Sequence, residues 1–405
     1  MSVRDTVDAT LERLVNASTG ERVAISVAAL VTAIIVGGLV VTGAGWVATC
    51  STAWVTLPGI GSFCYDPFRV YKYLFVGSFA SPDSLAFSAF NLAITLQETT
   101  ILLIAGLSVA VAFRSGMFNI GAQGQLVLGA LASALAVIAA GPFVPGGLVG
   151  TLVLVPLAVL VGAVVGGAYG AIPGALKAYA DANEVITTIM LNFIAANLAF
   201  VLVTQVFQDP GSQAVQTRAI PEAARLDPVL SAFSAGSRFS IVVLLGAMVL
   251  AVGVYWLLTQ TSFGYDLRTS GIQPKAAEYG GVDSKRTMVS SMALSGAISG
   301  VAGAIYILMV LGKYQDGVPS FGFDGITVSI LAGNNPLAVL PAALLFGVLK
   351  GGSIAIEFGL EVPPQLVDVL RGLIILFVAM PEFFRMLGLK LGLGSDATAT
   401  GGESE

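Results

Sequence analysis

A chain of 405 residues that is 56% hydrophobic and only 11% charged cannot cover a water-facing surface, since soluble domains carry about 25% charged residues. A net charge of −5 leaves no basic face for a nucleic-acid partner. The absence of histidine and the presence of only two cysteines remove the commonest general base and the usual Cys–His and CxxC metal and redox sites. No catalytic residues, no metal site and no cofactor are expected. The composition fits an all-α polytopic membrane protein whose solvent is the lipid bilayer.

In chain order, residues 1–22 read as an amphipathic segment on the cytoplasmic surface. They do not read as a cleaved signal, because the apolar run that follows is long enough to span. Stretches of the roughly 20 apolar residues that a span needs follow at 23–41, 91–113, 117–140, 147–169, 185–207, 240–258 and 288–311. Two shorter stretches, 323–332 and 337–349, flank the turn signal Gly333-Asn334-Asn335-Pro336, and 366–384 closes the set. About ten transmembrane helices result, some short or broken, with both termini cytoplasmic. The eighth and ninth are readable as one broken helix or as a re-entrant pair. In this topology eleven Lys and Arg fall inside and seven outside, Lys350 among the latter, with Arg371 inside the last span; the bias obeys the positive-inside rule.

Loops 42–90 and 208–239 then lie outside and 259–287 inside; loops of this length are often functional. Cys50 and Cys64 share the first outer loop. An oxidising compartment permits a disulfide between them, and two free thiols are equally compatible with the spacing. The acidic tail 387–405, ending GSDATATGGESE, reads as disordered.

Several polar residues sit where apolar helices should not carry them. Glu98 in the second span is costly unless paired or wet. Asn119, Gln123 and Gln125 lie among four glycines between Phe113 and Gly129, a pattern for a broken helix that lines a path or for amides that bond across helices. Thr188, Asn192 and Ala195 share one face of the fifth span, and Asp368 and Arg371 are spaced to pair. Glu98, Asn119, Gln123, Gln125 and Asn192 are the path residues this pattern suggests. In the inner loop Pro274 can open a one- to two-turn helix that Gly280 and Gly281 close, suited to docking in a partner's groove. No phosphate-binding loop, HExxH or GxSxG motif is present.

Three blocks resemble the permease subunits of ABC importers, in the branched-chain amino acid, ribose and nucleoside group: GLSVAVAFRSGMFNIGAQGQLVLGA (106–130), ANEVITTIMLNFIAANL (182–198) and FGYDLRTSGIQPKAAEYGGVDSKRTMVSSMALSGAISGVAGA (263–304). Two positions depart from that group. Gln123 stands where its NIGxEGQ motif carries Glu, and Gln273 replaces Asn in GxNPxAA.

The resemblance implies a transmembrane permease domain over 23–386 with a coupling loop at 259–287. Coupling is then carried by Pro274, Ala276, Ala277, Glu278 and Gly281, and Ala277→Arg is expected to abolish transport without unfolding the chain. The implied partners are an ABC ATPase subunit that hydrolyses ATP on the cytoplasmic face, a second permease subunit and an extracytoplasmic solute-binding lipoprotein. The implied cargo is a neutral solute, a nucleoside first and a ribose-like sugar next. An ion-coupled secondary transporter is the competing class, with Glu98 as its coupling site.

Overall fold

The computed structural model describes residues 19–50, 53–59, 61–230, 233 and 236–390, with side chains within 29–377. The expected surface segment up to residue 18 and the acidic tail from residue 391 lie outside the described residues. Thirteen α-helices follow one another among the described residues. They are α1 (Thr19–Val47), α2 (Pro67–Val76), α3 (Ala89–Arg114), α4 (Ala122–Ala140), α5 (Gly147–Ala180), α6 (Glu184–Leu202), α7 (Ile241–Gln260), α8 (Ser262–Ile272), α9 (Pro274–Tyr279), α10 (Ser284–Ile305), α11 (Phe321–Leu331), α12 (Val339–Gly359) and α13 (Pro364–Lys390). A small hairpin, β1 (Val55–Leu57) with β2 (Gly61–Phe63), is the one sheet among the described residues.

Eight helices among the described residues are long and apolar enough to cross a membrane: α1, α3, α4, α5, α6, α7, α10 and α12. The short apolar α11 and the 27-residue α13 complete ten membrane segments at the positions read from hydropathy. The protein is a multi-pass membrane protein.

Three boundaries differ from the sequence reading. Helix α5 continues past 169 to Ala180, with Pro156 and Pro173 inside it, because Gly170 and Gly174 keep it packed on α10. Helix α4 begins at Ala122 and not at 117, since residues 115–121 form an irregular bend. The ninth segment is not short: α12 runs 21 residues, through Lys350 to Gly359, a rise of about 32 Å against a hydrocarbon core of about 30 Å. The eighth segment is the short one. The 11 residues of α11 rise about 16 Å, half the core.

The described residues form two compact units, 78–351 and 19–77 with 352–390. The first is built around α3, whose Leu102, Leu103 and Leu107 are fully buried. Helices α5 and α10 pack antiparallel through glycines. Gly162 and Gly166 lie against Gly300, Gly170 against Met292, and Gly174 against Val289. Lipid tails give helices no hydrophobic reason to associate, so close backbone contact must supply the attraction. A Cβ on Gly166 would stand 2.8 Å from the Gly300 Cα, and no side chain fits there.

In the second unit α1 packs on α13. Helix α2 is fixed to α1 by the Tyr71 hydroxyl, which donates to the Ile34 carbonyl at 2.7 Å; burial pushes the pKa of this hydroxyl up to about 12, so it remains a donor. Cys50 and Cys64 are joined in a disulfide, which resolves the open alternative. The Cys64 N–H donates to the Gly45 carbonyl at 2.9 Å.

Gly166→Leu is expected to lower stability by about 1–3 kcal/mol through overpacking, read as a fall in the melting temperature of the detergent-solubilised protein. An unchanged melting temperature would show that the α5–α10 contact yields.

Candidate functional site

The bend between α3 and α4 gathers the amides singled out above. Gly116 takes φ +72, a conformation that glycine adopts without strain, and lies against the backbone of Gly271. Past it, the Asn119 Nδ2 donates to the Gln125 Oε1 at 2.8 Å and to the Ser295 Oγ at 2.7 Å, while the Gln125 Nε2 donates to the Asn119 Oδ1 at 3.0 Å. Ser108, Ser295 and Ser299 continue the chain of bonds into α3 and α10.

Asn192 of α6 acts across helices. Its Oδ1 accepts from the Gly124 N–H at 2.8 Å and its Nδ2 donates to the Ile120 carbonyl at 2.9 Å. It thereby satisfies an N–H in the first turn of α4 that has no partner in its own helix. Gln123 does the same for α11: its Oε1 accepts from the Gly322 N–H at 2.8 Å and its Nε2 donates to the Pro319 carbonyl at 2.9 Å. A carboxylate could accept the first bond but could not donate the second, which accounts physically for Gln at this position. Asn119, Gln123, Gln125 and Asn192 are all buried, and their polar atoms bond within the bundle.

Glu98 is paired. Lys350 of α12 places its Nζ 2.8 Å from the Asp324 Oδ2 of α11 and 3.6 Å from the Glu98 Oε2 of α3. The same ammonium lies 4.2 Å over the Phe321 ring, a cation–π contact strengthened by burial, and the Tyr306 ring packs edge-on to Phe321. The side chains of Glu98, Asp324 and Lys350 are at most 19% exposed.

Counting Lys350 as an outer-loop cation is therefore corrected: α12 extends beyond it, and the residue stands inside a helix as counter-charge to two carboxylates. Asp324 had no signal of its own, because its partner is 26 residues away on another helix. Asp368 and Arg371 do pair, at 3.1 Å.

Two membrane helices end in π-helical turns, Val203–Phe207 after α6 and Tyr306–Leu311 after α10. The outer loop 208–239 satisfies the second. The Leu226 N–H donates to the Leu308 carbonyl at 2.9 Å and the Arg238 Nη1 to the Val310 carbonyl at 3.3 Å. The same loop pairs with the chain after α10, through Gln216 and Gln315 and through the Thr217 N–H to the Tyr314 carbonyl at 2.9 Å.

The inner-loop helix α9 forms at Pro274–Tyr279, with Pro274 in its first turn. The Ser284 Oγ donates to the Pro274 carbonyl at 2.9 Å, and Asp283 caps α10 through the Arg286 N–H at 3.0 Å. Gly281 takes φ +84. Ala277 is only 1% exposed and faces the protein, so an arginine there would dislodge α9 from its seat. The expectation that Ala277→Arg leaves the fold intact is corrected on that ground. The free side of α9 is formed by Lys275, Ala276, Glu278 and Tyr279. Tyr279 is 96% exposed and Ile272, just before the helix, 84%. Both side chains stand clear of the protein, and pattern reading assigned neither a role.

Eight helices long and apolar enough to span, the short apolar α11 and the buried charges of Glu98, Asp324 and Lys350 are the marks of a membrane transport component. Residues 91–379 match the family described as branched-chain amino acid transport system / permease component, and the chain belongs to it. Similar proteins include the nucleoside ABC transporter permease protein NupB of Lactococcus lactis subsp. cremoris, 32% identical over 84% of this chain and 92% of that one. The guanosine ABC transporter permease protein NupP of Bacillus subtilis is 35% identical over 73% and 83%. The glucose ABC transporter permease protein TsgB13 of Haloferax volcanii is 31% identical over 84% and 88%.

Lys350→Met leaves two carboxylates buried without a counter-charge and is expected to cost about 3–5 kcal/mol. The triple variant Glu98→Gln, Asp324→Asn, Lys350→Met is expected to recover most of that loss, since it removes every charge together. Melting temperatures of the parent and the two variants check this; a triple variant no more stable than the single one would show that the lysine acts through packing.

Proposed function

We propose that this chain is the membrane-spanning subunit of an ATP-driven importer that carries nucleosides. The observation that supports it is the likeness to NupB, which covers 84% of the chain at 32% identity. A second reading, a hexose, is favoured by the comparable likeness to TsgB13. The charge inventory is in keeping with a neutral solute: the buried carboxylates found at membrane depth already face a lysine, which leaves little support for an ion-coupled carrier.

The division of labour follows. An ATPase subunit docks on the cytoplasmic side against α9, with Tyr279 and Ile272 entering its groove and Ala276, Glu278 and Gly281 framing the contact. Pro274 and Ala277 hold α9 to the protein, so a push on its free side is transmitted to α8 and α10. A second permease subunit, identical or different, completes the path, and an extracytoplasmic solute-binding lipoprotein delivers the solute. Asn119, Gln123, Gln125 and Asn192 serve the path by fixing its wall.

Two measurements test this. In a deletion strain, uptake of labelled guanosine and adenosine is expected to fall while glucose, ribose and leucine uptake stay at the parental level, and ATP depletion of the parent is expected to abolish the same uptake. Loss confined to glucose selects the hexose reading; uptake that follows an ion gradient instead of ATP rejects both. Ala276→Arg, on the free side of α9, is expected to leave membrane abundance unchanged and to reduce uptake at least about tenfold, the effect of losing about 1.4 kcal/mol of docking. Undiminished uptake by that variant would remove α9 from the coupling assignment.

A further inference from the structure

Helix α6 with its π-helical turn, Glu184–Phe207, is only 17% buried over its apolar stretch, the lowest value among the eight spans. Its inward seam is Thr188, Asn192, Ala195, Ala199 and Val203. On the opposite side, at i, i+4 and i+7, stand Phe193, Asn197 and Phe200. Phe193 is 62% and Phe200 42% exposed, and Asn197 is exposed between them.

Asn197 is the fourteenth of 24 residues, so it lies about 20 Å from one end of the span and about 15 Å from the other. Its Nδ2 donates to the Phe193 carbonyl at 2.8 Å. Its side-chain carbonyl oxygen has no partner among the described residues. Hydrocarbon offers such an amide nothing, and leaving it there is costly.

Neighbouring spans show what a lipid-facing side of this chain looks like. Helix α5 exposes Leu152, Leu160 and Val164, and α7 exposes Leu245, Val249 and Val252. These outward positions are apolar. Among the described residues, α6 alone of the eight spans exposes a carboxamide away from its ends.

We propose that this face of α6 lines the translocation path and that Phe193, Asn197 and Phe200 recognise the base of a nucleoside. The inference rests on the nucleoside reading above and specifies its recognition site. Aromatic rings stack on any base, because every base has a π-face. A carboxamide carries one donor side and one acceptor side and so matches the hydrogen-bonding edge of a base. The two phenylalanines are about 10 Å apart along the helix axis, with the amide between them, so a base lying against the helix meets a ring and the amide together. A sugar without a base offers no flat π-face to these rings.

The chain supplies its own labelling background. Its two cysteines are tied to each other in the disulfide, so one introduced cysteine is the only free thiol. Asn197→Cys and, as a lipid-facing control, Val249→Cys are to be compared in the assembled importer in whole cells. A membrane-impermeant maleimide is the probe. Asn197→Cys is expected to react, more slowly in excess guanosine, and Val249→Cys to stay unmodified. In a second arm, Asn197→Leu is expected to lower guanosine uptake about tenfold, the loss of one well-placed hydrogen bond, at unchanged membrane abundance.

Labelling of Asn197→Cys no faster than of Val249→Cys would overturn the placement of the path. A parent that carries guanosine, together with an Asn197→Leu variant that carries it equally well, overturns the recognition alone. A parent that carries no nucleoside overturns the nucleoside reading and this recognition with it.

Discussion

The bilayer offers no hydrogen bonds, and every polar group placed in it must find its partner inside the protein. This constraint organises the chain more than any single apolar contact does. Where α3 gives way to the bend before α4, the exposed backbone groups are met by Asn192. Where the short α11 starts, its first turn is met by Gln123. Where α10 loosens into a π-helical turn, its carbonyls are met by Leu226 and Arg238 from the outer loop. Each of these three irregularities is a departure from the regular helix that the membrane favours, and each has a partner from another element.

The same constraint separates the two kinds of polar residue in this protein. Asn119, Gln125, Gln123 and Asn192 bond to one another or to backbone and hold helices at fixed spacing. Glu98 and Asp324 share the single ammonium of Lys350 at the junction of α3, α11 and α12, which leaves the cluster one net negative charge. Removing one member of such a group is far more damaging than never having had it, because the remaining charges stay buried. Polar groups satisfied in this way are structural. The Asn197 side-chain carbonyl, which has no partner among the described residues, is the exception from which the proposed solute path is argued.

Close helix packing and the proposed coupling knob lie in different parts of the chain. The glycine contacts of α5 with α10 bring two backbones together, which suits a unit that moves as one piece. The knob α9 is short, capped by glycine and seated through Ala277. Its seat is small, and its free face carries Tyr279 almost fully exposed. In the docking proposed above, a partner on that face acts on α8 and α10 through a lever less than two turns long.

Much of this was legible in the sequence. Ten apolar stretches, their turns, the helix opened by Pro274 and the break around Gly116 all follow from local composition and backbone preference, which neighbouring residues alone determine. The pairing of Asp368 with Arg371 was legible for the same reason, being three residues apart on one helix. What the sequence left open depended on residues distant in the chain: the disulfide, the partners of the buried amides, the length of α12 beyond Lys350 and the inward orientation of Ala277. Hydropathy ends a span at a lysine, since an isolated ammonium belongs in water. Only the tertiary structure brings Glu98 and Asp324 to that lysine and lets the helix continue, because a charge is tolerated in an apolar medium according to what faces it and not according to its neighbours in sequence.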